Sequence, residues 1–140
     1  MNPDAPCRVE IGRQISVFIE DEPGTLARVA ERLGARGINI FALTLSEGEG
    51  HGFVRMVVDR PAEAADLLRG AGELVSERDV LLLELWNRPG ALASVAARLA
   101  AAGVNLEYAY CAGGPNVDRG LVIVRAEDTR KAAQVLAPSA

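Results

Sequence analysis

Residues Glu22–Ile40 read EPGTLARVAERLGARGINI, and residues Arg88–Leu106 read RPGALASVAARLAAAGVNL. Eleven of these 19 positions are identical at an offset of 66, among them Pro23/Pro89, Gly24/Gly90, Leu26/Leu92, Gly37/Gly103 and Asn39/Asn105. An alanine-rich composition inflates such a count a little. The Pro-Gly and Gly-x-Asn pairs do not suffer from that, and they carry the argument. A fixed internal period marks copies of one supersecondary unit. Length alone, 140 residues, suggests one domain at about 150 residues each. The repeat overrides that prior and predicts two small units, residues 8–77 and 78–137.

Working outward, each unit shows the same order of elements. Gln14–Glu20 (QISVFIE) alternates apolar and polar residues, the pattern of a half-buried strand. Val80–Trp86 (VLLLELW) is its counterpart. A breaker cluster follows each strand, Asp21–Gly24 and Asn87–Gly90. Leu26, Val29, Ala30 and Leu33 then recur at helical spacing, as do Leu92, Val95, Ala96 and Leu99. Gly37 and Gly103 suit the left-handed position after a helix. Strands are expected at 38–45 and 104–111, then at 53–59 and 121–125. Between the members of the first pair lies a glycine-rich loop, Glu47–Gly52. Second helices are expected at 61–69 and 128–136, and a short strand at 73–76. Pro138–Ala140 is too short for an equivalent last strand. The order strand–helix–strand–strand–helix–strand is the ferredoxin-like split arrangement. The expected class is therefore α+β: two βαββαβ units in tandem, with antiparallel sheets, helices on one face and the second unit lacking its last strand. Cys7–Gly12 is a candidate to fill that edge.

Composition excludes several classes. Hydrophobic residues are 49% and charged residues 24%, an ordinary globular balance rather than a disordered one. Fifteen Lys and Arg against 19 Asp and Glu give a net charge of −4, which argues against a nucleic-acid binder. Charges interrupt every apolar run before the roughly 18–20 residues of a membrane span, and Met1–Arg8 has no signal-peptide core. Cys7 and Cys111 form no metal or redox motif, and two free thiols fit a cytoplasmic location. There is one histidine, His51, in the glycine-rich stretch, where a solvated side chain is expected. No metal, no cofactor and no catalytic residue is expected.

The strand, the [Asp/Asn]-x-Pro-Gly-x-Leu-Ala-x-Val segment and the helix ending in Gly-[Ile/Val]-Asn-[Ile/Leu] resemble the ACT domain, twice over. The resemblance implies a regulatory module that binds an amino acid or similar effector at an interface between paired domains. The first unit also resembles the small subunit of acetolactate synthase. The repeated motif at Asn87–Leu92 departs from that protein's second half.

The strand-to-helix loop has the chemistry for a ligand. A helix N-terminus leaves backbone N–H groups without partners and favours negative charge. Gly24 and Gly90 put no side chain in the way. The candidate ligand residues in the first loop are Asp21, Pro23, Gly24, Thr25 and Leu26. Those in the second are Asn87, Pro89, Gly90, Ala91 and Leu92. Asp21 can accept from an ammonium group while Asn87 is neutral, and Thr25 adds a hydroxyl that Ala91 lacks. An α-amino acid needs both an anion site and an ammonium acceptor, so these residues favour the first loop. The same loops equally suit a plain tight turn. The resemblance adds Asn39 and Ile40, with Phe41 beside them, and Asn105 and Leu106, with Glu107; a turn role for the two asparagines stays open. A homodimer is the expected assembly, and a partner enzyme is the expected target of regulation.

Overall fold

The computed structural model describes residues 5–48 and 51–137. Its elements are β1 (Arg8–Glu20), α1 (Thr25–Ala35), β2 (Ile40–Gly48), β3 (His51–Val58), α2 (Pro61–Gly70), β4 (Leu74–Trp86), α3 (Ala91–Ala101), β5 (Leu106–Ala112), β6 (Arg119–Ala126) and α4 (Thr129–Leu136). The fold is the expected α+β arrangement of two ferredoxin-like units. None of the helices is long and apolar enough to cross a membrane, among the described residues.

One compact unit is residues 13–78. Its strands lie in the order β2-β3-β1-β4. Ile15, Val17 and Ile19 of β1 and Val54, Met56 and Val58 of β3 point to one face by the two-residue period. Val29 and Leu33 of α1 and Ala64, Ala65 and Leu68 of α2 cover that face. Three helices end alike. Gly37, Gly72 and Gly103 have positive φ, and the next residue's N–H reaches back to Leu33, Leu68 and Leu99 respectively. This Schellman pairing satisfies carbonyls that a helix end otherwise leaves open. Each helix therefore stops where its glycine stands.

The other unit is built from Asp79 onward together with the segment up to Gly12. Its strand order is β5-β6-β4-β1. Leu81, Leu83, Leu85, Val122 and Val124 form the covered face, under Val95 and Leu99 of α3 and Ala132 and Leu136 of α4. No strand follows α4 among the described residues, and Pro138–Ala140 lies outside them. The N-terminal half of β1 fills the fourth position. Cys7 donates its N–H to the Glu84 carbonyl at 2.7 Å, and Val9 packs against this second core. Residues 8–12 thus pack with the second unit, whereas an even split of the repeat puts them with the first.

Two further departures concern strand lengths. The expected strands at 73–76 and 80–86 are one continuous strand, β4. The polar stretch between them is anchored. Glu77 accepts from Arg69 at 3.0 Å and from Arg13 at 3.3 Å, and Arg125 donates to the Asp79 carbonyl. The expected loop Glu47–Gly52 is mostly strand, since β2 runs to Gly48 and β3 begins at His51. Glu49 and Gly50 lie outside the described residues.

Candidate functional site

Both Pro-Gly loops reach the helix through a glycine in the left-handed region. Gly24 has φ 90° and Gly90 has φ 89°, and no side chain caps α1 or α3. A residue with a Cβ pays for that conformation, which is why glycine stands at both places. In α4, by contrast, Asp128 accepts from the Lys131 N–H, the ordinary N-cap. The N-terminal amides of α1 and α3 are therefore left without a side-chain partner, and each helix start opens on a cleft.

The first cleft has a volume of about 220 Å³. Asp21, Gly24, Thr25 and Leu26 line it, as expected; Pro23 does not. Its other walls are Ile19, Glu20, Glu22, Ala27, Leu45, Ser46, His51 and Gly52. The β1–β3 register brings the last two there, pairing Glu20 with His51 and Ile19 with Gly52. A Cβ at Gly52 would stand 2.7 Å from the Ser46 carbonyl oxygen, so glycine is what lets the β2–β3 hairpin close beside the cleft. His51 is half-buried, its ring stacked on Phe18 at 4.7 Å and edge-on to Phe53. It is a wall residue rather than a solvated loop side chain. Thr25 is buried, and its hydroxyl donates to the Glu22 carbonyl at 3.1 Å. That bond holds the turn.

Charge is concentrated here. The Glu22 carboxyl is held above its usual range, first by a hydrogen bond with the Glu20 side chain, then by Glu20's charge and by burial, with Arg28 opposing. A folded-state pKa raised above the unfolded value contributes stability at low pH that is lost as pH rises through it. Glu22→Gln is therefore expected to raise the melting temperature at neutral pH. The gain should vanish when the comparison is repeated below the carboxylate range. Thermal melts of both proteins at several pH values check this, and a gain independent of pH would refute it. Arg28 itself is tied to Glu73 at 2.9 Å, which also accepts from Arg32 at 2.9 Å. These contacts fix the outer face of α1.

The second cleft, of about 240 Å³, sits at the matching place in the other unit. Asn87, Ala91 and Leu92 line it, as expected; Pro89 and Gly90 do not. Arg88, Trp86 and Leu85 join them from the loop and β4, with Cys111, Val117, Leu121 and Val122 from β5, β6 and the loop between. Asn87 has a definite task. Its Nδ2 donates to the Val117 carbonyl at 2.8 Å and the Gly114 carbonyl at 3.3 Å, pinning the β5–β6 loop over the cleft. Trp86 carries the Arg119 guanidinium 4.8 Å from its ring centroid. Beyond Trp86 and Arg88 the cleft opens into a depression lined by Pro115, Asn116 and Asp118.

Four expected residues stand elsewhere. Asn39 and Ile40 follow the C-terminal end of α1, and Asn105 and Leu106 follow that of α3, whereas the clefts open at the helix starts. The Asn39 N–H donates to the Asp59 carboxylate and its carbonyl accepts from the Asp59 N–H. The Asn105 carbonyl likewise accepts from the Glu127 N–H. These bonds tie the start of β2 and of β5 to the end of the neighbouring strand. Ile40 and Leu106 pack against their unit's core. Neither cleft includes any of the four. Sequence reasoning missed Ser46, Gly52, Val117 and Gly120 as wall residues, and gave His51 and Cys111 no part in a cleft. Strand register places all of these but Val117, which the Asn87 bond to its carbonyl holds there, and a single sequence prints neither.

Comparison with known proteins agrees with this architecture. The family described as an ACT domain pair matches residues 11–139. The solved structure of a protein from Bacteroides thetaiotaomicron is 33% identical, with a TM-score of 0.84 over 91% of this chain and 88% of that one. The regulatory subunit of aspartate kinase from Thermus thermophilus, in its ligand-free form, is 24% identical, with a TM-score of 0.69 over 94% of this chain and 96% of its own. No curated protein sequence gives a match.

Proposed function

Because the chain belongs to the family of paired ACT domains, we propose that it is a regulatory protein that binds a small effector, an amino acid, beside its Pro-Gly loops. It has no catalysis of its own. It works in the cytoplasm as a homodimer and passes the effector's presence to a partner enzyme. One observation carries the reading: in both units an uncapped helix start opens on a cleft, lined by Gly24 and Thr25 in the first and by Ala91 and Leu92 in the second. Clefts of 220 and 240 Å³ lie below the range of about 300–1,000 Å³ usual for drug-sized ligands, and suit a molecule of amino-acid size. The Thermus thermophilus chain of this fold is a regulatory subunit of an enzyme, which supports the partner-enzyme element.

The test is thermal stability against the twenty amino acids. A ligand at ten times its dissociation constant stabilises by about 1.4 kcal/mol, a shift of a few degrees. One or a few amino acids should raise the midpoint, and a charge placed in the wall of the occupied cleft at an exposed position, Ala27→Asp in the first or Leu92→Asp in the second, should weaken the shift. A flat panel on the folded protein would overturn the reading. It would leave an interaction subunit resembling the acetolactate synthase small subunit, recognised by stable co-purification with a large catalytic chain.

A further inference from the structure

The two clefts hold the same place in two copies of one unit, yet their walls are chemically opposed. Glu20 facing His51 is replaced by Trp86 facing Arg119. Glu22 gives way to Arg88, Thr25 to Ala91, and Leu45–Ser46 to Cys111–Ala112. The first cleft gathers three carboxylates, Glu20, Asp21 and Glu22, and the Glu20 side chain beside it holds the Glu22 carboxyl above its usual range. A ligand carboxylate entering there meets like charge. No carboxylate lines the second cleft among the described residues; Arg88 does, and Arg119 lies against Trp86. Asp118 lies beyond them, in the open depression. Apart from Asn87, whose amide is spent on the β5–β6 loop, the remaining walls of the second cleft are apolar or glycine, with Leu85, Leu92, Leu121 and Val122 among them. Burying an apolar side chain against such walls is favourable in proportion to the area covered.

We propose that the effector sits in the second cleft and is a carboxylate on an apolar body, an aliphatic or aromatic amino acid. This assignment rests on the amino-acid-binding reading and reverses the order that the loop residues alone suggest. Asp21 offers an ammonium acceptor, but it does so among like charges that exclude the other half of the ligand.

Trp86, the single tryptophan of the chain, makes the assignment testable. Leucine, isoleucine, valine and phenylalanine are titrated into the protein, with lysine and arginine for comparison, by calorimetry and by Trp86 fluorescence in parallel. A member of the apolar set should give heat and a fluorescence change that follow one isotherm. Leu92→Asp, at an exposed position of α3, should weaken binding at least tenfold, and Arg88→Gln several-fold, with the unliganded melting temperature unchanged. Heat without a Trp86 signal, binding undiminished in Leu92→Asp, or binding of lysine or arginine alone would overturn the assignment and leave the amino-acid-binding reading standing. No binding of any amino acid would overturn both.

Discussion

Leu33→Ala is expected to lower the folding free energy by about 2–5 kcal/mol, the range for deleting a buried leucine side chain. Leu33 is fully buried on α1 and belongs to the cluster of Ile15, Val17, Val54, Met56 and Leu68. Aromatic residues are only 4% of the chain, so no large ring stands ready to swing into the space. The cluster is made of aliphatic side chains held on strands and helices whose ends are pinned. Collapse around the cavity is therefore limited, and the loss should fall in the upper half of the range. Against the about 5–15 kcal/mol of a typical domain this is a large fraction. Leu99 holds the same place on α3 in the second core, so Leu99→Ala should cost a comparable amount. Leu33→Met, which keeps the volume, should cost less than about 1.5 kcal/mol. Urea unfolding of the three variants checks these values. A loss below about 1 kcal/mol for both alanine variants would show that the cores are loosely packed.

The helices were legible because both of their ends are written in the sequence. Pro-Gly opens α1 and α3 and a lone glycine closes each, and these residues are needed for backbone reasons that no neighbour can override. The core faces were legible for a similar reason. Leu26, Val29 and Leu33 recur at helical spacing, and Ile15, Val17 and Ile19 alternate. The continuity of β4 was hidden. Ser76–Asp79 reads as a polar joint, and only the folded chain brings Arg13, Arg69 and Arg125 to hold it extended. Half of each cleft was hidden for the same kind of reason. Loop residues such as Asp21 and Asn87 announce themselves by position next to the Pro-Gly pair. His51 and Val117 enter only through pairing register and through a loop pinned by Asn87. Tertiary partners of this sort are absent from local pattern, so a single sequence shows the loop side of a cleft and not the wall facing it.

Removing the segment up to Gly12 should destabilise the second unit far more than the first. That segment supplies the strand beside β4 in the unit built from Asp79 onward. Its loss leaves the Glu84 carbonyl without the Cys7 N–H and uncovers the core surface under Val9. Gly12 adds to the fit, because its missing side chain leaves the space that Leu82 occupies. Burying a valine side chain contributes about 1.5–3 kcal/mol when complete, and each ladder hydrogen bond about 0.5–1.5 kcal/mol net. Ordering the segment's backbone costs about 1–2 kcal/mol per residue, and the truncated chain no longer bears that cost. The opposing terms leave an expected net loss of about 2–4 kcal/mol. Val9→Asp separates them, since it keeps the ladder and removes the apolar contact, and it should show a smaller part of the loss. The exposed edge of β4 also offers unpaired N–H and C=O groups to another chain, so the truncated protein should associate more readily. Amide hydrogen exchange reads the location: protection should fall in β4 from Val80 to Trp86 and in β6, and hold in β3. Equal loss of protection in both units would show that the segment stabilises the chain as a whole rather than completing one sheet.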